Sequence, residues 1–267
     1  MTFPASLWLI GCGNMAGAML EGWLAAGLAP ACVTVIRPSG KPPRPDVRTV
    51  TLVPDEPAPA LALLGVKPQK LDEVAPELAP ALAPNTILVS ILAGVELASL
   101  RARFPAQRAI VRAMPNTPVR LRKGVTNLIA DNDDPAARAA AGQLMAALGS
   151  TEWFEDESLF ALAGHLTGAG PAFFYRFLDA LAAAAAELGL PADQAARLAA
   201  AMAEGAAALA AGSGETPAEL ARRVASPGGT TEAGLSILDG EDGLRQLLMR
   251  TLDASRRRGN EMAASAR

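Results

Sequence analysis

Histidine is almost missing from this sequence: His165 is the only one in 267 residues. That argues against a zinc site and against a Ser-His-Asp triad, both of which depend on imidazole nitrogens. Cysteine is nearly as scarce. Cys12 and Cys32, the only two, cannot build a disulfide framework or a metal cluster, which suits a reducing cytosol. Basic runs are lacking, and the formal net charge is −3, so neither nucleic acid nor an anionic membrane surface is an expected partner. The apolar N-terminal stretch has no Lys or Arg before Arg37, so the positive region of a signal peptide is missing. Glycines, Asn14 and Glu21 interrupt it well short of a membrane span. The expectation is a soluble, cytoplasmic protein with no metal.

What the chain does have is apolar bulk. A hydrophobic share of 51% with only 19% charged residues describes a globular chain, not a disordered one. The length accommodates one large domain or two modest ones.

Two halves follow different patterns. Up to about residue 155, short apolar runs (LWLIG, VTVIR, LALLGVK, TILVSIL, RAIVRAM, VTNLIA) have the length and β-branched bias of buried strands. Between or after them the sequence predicts helices over Met15–Ala26, Gln69–Leu82, Leu97–Phe104 and Pro135–Leu148. Such alternation implies a doubly wound parallel sheet with helices on both faces. Six prolines between Lys41 and Pro59 leave that stretch a loop or a poor edge strand. After Glu155 the pattern turns all-α, with helices predicted over Ala169–Leu188, Ala192–Ala211, Pro217–Val224, Thr231–Leu238 and Glu241–Met262. The expected domains are therefore 1–155 and 156–267. The segment DALAAAAAELG is apolar almost all round and must be buried on every side. An intertwined homodimer would bury it; an alanine-rich bundle packed on its own first domain is the simpler alternative.

LWLIGCGNMAGAML sets Gly11, Gly13 and Ala16 in a G-x-G-x-x-A pattern after a strand and at a helix start, the context of a dinucleotide site. The first glycine makes the turn, the second admits a pyrophosphate, and the small third residue lets helix and strand pack. The next strand ends in Arg37-Pro38-Ser39-Gly40-Lys41 where an NAD site places an acid, so NADP is favoured over NAD; solvated loop charges are the plainer reading. Gly65-Val66-Lys67-Pro68-Gln69 and Ser90-Ile91-Leu92-Ala93-Gly94-Val95 are further strand ends that should line the crevice. Arg112-Ala113-Met114-Pro115-Asn116-Thr117-Pro118 reads as a rigid wall facing the nicotinamide.

The stretch PAELARRVASPGGTTEAGLSILD (217–239) sets a Ser-Pro-Gly-Gly-Thr-Thr turn between two helices. Ser226 has the character of an N-cap, and Gly228 and Gly229 leave the backbone bare for an anion. Thr230 and Thr231 add hydroxyls. A Ser-Pro-Gly-Gly taken alone also serves as a simple interhelical turn.

The ordered blocks GCGNMA, GVKPQ, SILAGV, RAMPNTP and SPGGTTEAGL resemble the pyrroline-5-carboxylate reductase family over essentially the whole chain. The resemblance implies a Rossmann-like N-terminal domain and an all-α C-terminal dimerisation domain, in a homodimer or a pentamer of dimers. It implies reduction of 1-pyrroline-5-carboxylate to L-proline with NAD(P)H. Carried over by position, Ile10, Gly11, Cys12, Gly13, Asn14, Met15, Arg37, Ser39, Val66, Lys67, Pro68, Ile91, Leu92 and Ala93 would contact the cofactor. Glu157, Ser226, Gly228, Gly229, Thr230 and Thr231 would contact the substrate, with Thr231 the catalytic residue at the ring nitrogen. The block ALAGHLTGAGPA departs from the family: Ala161 replaces an acid, Gly164 a threonine and Ala169 a serine. Arg223 stands where an amide is common.

Rival readings are a related NADP-dependent imine or 3-hydroxyacid reductase and a non-catalytic cofactor-binding regulatory homologue. Carbonyl reduction usually needs a lysine or histidine acid, and the helical half has no lysine. Retention of Thr230 and Thr231 weighs against lost activity.

Overall fold

The computed structural model describes residues 3–265; the expected domain ends at 1 and 267 lie outside them. Strands β1 (Leu7–Ile10), β2 (Val33–Ile36), β3 (Arg48–Val50), β4 (Leu61–Leu64), β5 (Ile87–Ser90), β6 (Ile110–Pro115), β7 (Gly124–Ala130) and β8 (Gly149–Phe154) form one sheet. Their order is β3-β2-β1-β4-β5-β6-β7-β8. β1, β2 and β4 are buried along their whole length, which is why they read as apolar runs, interrupted only by Thr34 in β2, rather than as an alternation. Side chains of β1 feed two cores. Leu7 and Leu9 enter one cluster, and Trp8 and Ile10 the other, as strand alternation across a two-faced sheet requires.

Helices α1 (Asn14–Ala25), α2 (Leu71–Leu78), α3 (Leu97–Arg103) and α4 (Pro135–Ala146) accompany the strands. The Trp23 indole of α1 donates to the Leu144 carbonyl of α4 at 2.8 Å, so a buried polar edge is satisfied inside the first core. The second helix is shorter than its pattern suggests. 3-10 turns at Pro68–Lys70 and Ala79–Ala81 flank it, with Pro68 and Pro80 supplying no N–H.

Two features correct the expected all-parallel sheet. β7 runs antiparallel to β6, because only a tight turn through Thr117–Leu121 joins them and a parallel pair needs a longer crossover. β8, parallel to β7, was not expected at all; GSTEWF is a half-exposed edge strand without an apolar run. The proline-rich stretch does hold an edge strand, β3.

Six helices follow: α5 (Glu157–Thr167), α6 (Gly170–Glu187), α7 (Ala192–Gly212), α8 (Pro217–Val224), α9 (Thr230–Leu238) and α10 (Leu244–Ser265). α5 was not among the five expected; Asp156 caps it by accepting from Ser158 N and Leu159 N. The chain divides into two compact units, one holding the sheet through Ala169 and the stretch from Arg256 onward, the other Gly170–Ser255. By compactness α5 goes with the sheet, because it packs on β7.

In the second unit α6 and α7 pack on each other, and Ala195, Ala199 and Ala203 form the buried stripe of α7. The helix expected to be buried all round is open in the single chain: Phe177 is 41% and Leu188 90% exposed. Among the described residues no helix is long and apolar enough to cross a membrane.

Candidate functional site

Gly11 ends β1 with φ +82 and its N–H bonded to the Ile36 carbonyl at 2.8 Å. A β-carbon there would lie 2.9 Å from the Gly65 carbonyl oxygen and from Val66, so only glycine fits the turn. Gly65 in turn backs onto Ala16, whose β-carbon would sit 3.0 Å from one placed at Gly65. Gly13 differs. It is the N-cap of α1, and a β-carbon on it would meet nothing within 4 Å. The protein's own packing does not demand glycine there, and the missing side chain leaves the helix end open to close approach. No side chain caps α1 and no acid lies in its first turn, so its N-terminal N–H groups are ready for an anion. Fit of a dinucleotide pyrophosphate follows from these two facts.

A cavity of about 620 Å³ opens at this point. It lies beyond the ends of β1, β2 and β4, where the strand order turns and open α/β sheets bind ligands. It brings together Ile10, Gly11, Cys12, Gly13, Arg37, Ser39, Val66 and Lys67 of the expected cofactor set. Asn14 and Met15 begin α1, Pro68 starts the turn before α2, and Ile91, Leu92 and Ala93 follow β5; these do not line this cavity. Leu92 is buried in the second core, so only its backbone can face a ligand.

The sequence reading missed Thr51, Leu52 and Val53, and the α2 face of Lys70, Glu73, Val74 and Glu77, all on the cavity wall. The i, i+3, i+4, i+7 spacing of those residues was the available cue. Burial pushes the Cys12 thiol up, with Arg37 pulling it partly back. It is accordingly a protonated wall group, not a thiolate nucleophile.

The strand-end wall after β6 is tied into the fold by hydrogen bonds and an ion pair. Asn116 is buried; its Oδ1 accepts from Val125 N at 2.9 Å and its Nδ2 donates to the Thr167 carbonyl at 3.0 Å. Both ends of the amide are thus engaged within the fold. Glu157, the first residue of α5, ion-pairs with Arg112 of β6 and accepts from Leu97 N at 2.9 Å. The Arg112 guanidinium lies 4.8 Å from the Phe160 ring centroid, and burial pushes its pKa down against the pull of Glu157. Gly164 has a packing reason: a β-carbon there would collide with the Met114 sulfur. His165 packs on Gly259 of α10, and burial, then Arg256, push its pKa below the ordinary histidine value.

In the second unit a capping box between Thr216 and Glu219 starts α8, and Arg223 near its end pairs with Glu215. Ser226 to Gly229 then form a type II turn, with Pro227 and Gly228 (φ +69) at its centre and Gly229 N donating to the Ser226 carbonyl at 2.9 Å. The N-cap of α9 is therefore Gly229, without a side-chain bond. Ser226 closes the turn through its carbonyl, correcting its expected capping role. Gly228 N donates to Glu232 Oε2 at 2.7 Å. The N–H groups of Gly228 and Gly229, expected to be bare for an anion, are both engaged within the turn. Thr230 and Thr231 occupy the first two helical positions, whose N–H groups have no intrahelical partner, and both residues are exposed.

Residues 157–262 match the family model for pyrroline-5-carboxylate reductase dimerisation, and residues 6–94 that for NADP oxidoreductase, coenzyme F420-dependent. The chain is 38% identical to a pyrroline-5-carboxylate reductase of Pseudomonas aeruginosa, covering 95% of each. It is 30% identical to the one of Escherichia coli, covering 96% of this chain and 97% of that one. A solved pyrroline-5-carboxylate reductase of Coxiella burnetii superposes with a TM-score of 0.89 at 30% identity, over 97% of this chain and 98% of the other. The Plasmodium falciparum enzyme, solved with NADP bound, shares the fold with a TM-score of 0.84 at 22% identity, over 97% of this chain and 98% of that one. The chain belongs to the pyrroline-5-carboxylate reductase family.

Proposed function

We propose that this enzyme reduces 1-pyrroline-5-carboxylate to L-proline and takes the hydride from NADPH in preference to NADH. The observation that carries the coenzyme reading is the end of β2, where Arg37 and Ser39 line the cavity and no acid awaits a ribose 2′-hydroxyl. Backbone from Ile10 to Gly13, with the start of α1 at Asn14 and Met15, would hold the pyrophosphate. Arg37 and Ser39 would hold the 2′-phosphate, and Val66 to Pro68 and Ile91 to Ala93 the remainder. When bound, NADPH supplies the hydride, so the chain itself need only orient and stabilise.

The free N–H groups of Thr230 and Thr231 receive the substrate carboxylate. The ring nitrogen arrives protonated and donates to Thr231 Oγ1, so no histidine base is required. Ser226, Gly228 and Gly229 shape the turn that presents those groups.

The dimerisation segment makes the protein a homo-oligomer, and we read it as a homodimer or a pentamer of dimers. Its two cysteines suit a cytoplasmic setting.

Initial rates with pyrroline-5-carboxylate and NADPH or NADH, run in parallel, test the reading. A higher catalytic efficiency with NADPH is expected, and Arg37→Asp should raise the KM for NADPH with little effect on NADH. No turnover of the pyrroline with either coenzyme overturns the reaction; equal loss with both in the variant overturns the role of Arg37.

A further inference from the structure

The face of α2 that lines the cofactor cavity carries charge of both signs. Glu73 stands there with Glu77 one turn on and Lys70 just before the helix, and Arg37 and Lys67 line the same space. Lys70 Nζ donates to both carboxylate oxygens of Glu73, at 2.7 and 2.8 Å, so its charge is partly offset in an exposed pair. Asp72, the neighbouring acid on α2, pairs instead with Arg103 of α3 at 2.6 Å and does not line the cavity. Three cations and two carboxylates leave the cavity a net charge of only +1.

We propose that Glu73, with Glu77 in a lesser part, is a coenzyme-specificity residue that restrains affinity for the 2′-phosphate by neutralising Lys70 and opposing Arg37. The inference rests on the reading of Arg37 given above. A compact space of 620 Å³ is roughly 10 Å across, comparable to the Debye length of about 8–10 Å at moderate ionic strength. Charges on its opposite walls are therefore only partly screened from one another. A 2′-phosphate adds about two negative charges relative to NADH, so the α2 acids act on one coenzyme and spare the other. Glu73 also sits in the first turn of its helix, where an acid helps the helix dipole. That local role accounts for an acid there but predicts no discrimination between coenzymes.

Dissociation constants for NADPH and NADH, measured by calorimetry on the full-length protein, separate the two roles. Glu73→Gln is expected to tighten NADPH by about 3- to 10-fold and NADH by less than about 2-fold, with the gain shrinking at high ionic strength. Glu77→Gln should shift in the same direction by less, and Lys70→Met should weaken NADPH selectively. Asp72→Asn, the same charge change on the same helix off the cavity, should leave the ratio unmoved. An unchanged NADPH-to-NADH ratio in Glu73→Gln overturns the proposal, as does an equal shift in Asp72→Asn. If Arg37→Ala lowers the ratio while Glu73→Gln does nothing, this inference fails alone. If Arg37→Ala leaves the ratio unchanged, the coenzyme reading beneath it fails.

Discussion

The side-chain amide of Asn116 donates to the main-chain carbonyl of Thr167 across 3.0 Å, joining residues 51 positions apart. A second asparagine, Asn127 of β7, donates to the hydroxyl of the same threonine at 2.9 Å, and that hydroxyl passes on a bond to the Ala163 carbonyl at 3.0 Å. Two adjacent strands thereby hold the last turn of α5 by its backbone and its side chain. Thr167 is thus the point at which the sheet region grips the end of α5.

Removing Asn127 tests that network. The residue is 1% exposed, so Asn127→Ala deletes a buried donor with no water to replace it. A loss of about 1–3 kcal/mol in stability is expected, with NADPH affinity unchanged because Asn127 does not line the cofactor cavity. Thermal melting and NADPH titration on the same preparation check both halves. A wild-type melting curve would show that the network does not anchor α5.

Arg112 and Glu157 form a second tie between the sheet and α5. The Arg112 side chain is 7% exposed and that of Glu157 34%, so Glu157→Gln strands a buried cation. The expected cost is about 2–3 kcal/mol, below the range for a fully buried pair because the carboxylate is partly solvated. Arg112→Met should be costly alone, and the double variant Arg112→Met/Glu157→Gln should lose less than the two single losses together. Strict additivity in urea unfolding would deny the coupling. Should Glu157→Gln melt normally yet raise the KM for the pyrroline, Glu157 acts on substrate rather than on Arg112.

What could be read from the residues alone follows their physics. β1, β2 and β4 were legible because strands buried on both faces must be apolar throughout, and the Gly11–Ala16 turn because its constraints are local. β8 was not, since Ser150 and Glu152 leave it half exposed and its place depends on pairing with β7. Ser226 has the composition of a helix cap, yet the Pro227-Gly228 turn moves the cap three residues on. The cavity wall at Thr51–Val53 was out of reach because the pairing of β3 on β2 puts it there. Asn116 was seen, but its partner lies in α5, a helix that the sequence reading left out.

His165 gives a pH dependence with a definite sign. Burial and Arg256 lower its folded pKa below the ordinary 6.5. The unfolded chain therefore binds the proton more readily, and stability is lost as pH falls below 6.5 and through the folded value. His165→Gln should flatten the decline in melting temperature between about pH 7.5 and about pH 5.5. Parallel declines in the two proteins would show that carboxylates alone set the acid limb.

The helical unit should not persist as a single chain. Phe174, Phe177, Leu181 and Leu188 are 45%, 41%, 40% and 90% exposed, and their 3-4-7 spacing puts the first three along one side of α6 with Leu188 just past its end. Light scattering should give at least twice the 27.4 kDa chain mass at micromolar concentration, and Leu181→Arg should shift the population toward monomer. A monomeric wild type would sink the reading of this face as an interface between copies.

Thr231 bears most directly on the chemistry. Its hydroxyl has no hydrogen-bond partner among the described residues and does not cap α9, whose N-cap is Gly229 without a side-chain bond. A purely structural role therefore has little to act through, and Thr231→Ala should melt close to wild type. If the protonated ring nitrogen donates to Thr231 Oγ1, removing that acceptor costs a hydrogen bond to a charged group, worth roughly 1.5–3 kcal/mol. Turnover should fall by about 10- to 150-fold with NADPH affinity unchanged, and Thr231→Ser should recover most of it because the hydroxyl survives. Glu232→Ala provides a contrast. It frees the Gly228 N–H, changes the carboxylate-binding end of the turn, and should move the KM for the pyrroline more than kcat. Turnover and melting temperature measured together decide the matter: a Thr231→Ala protein that is less stable but fully active would remove the hydroxyl from the mechanism.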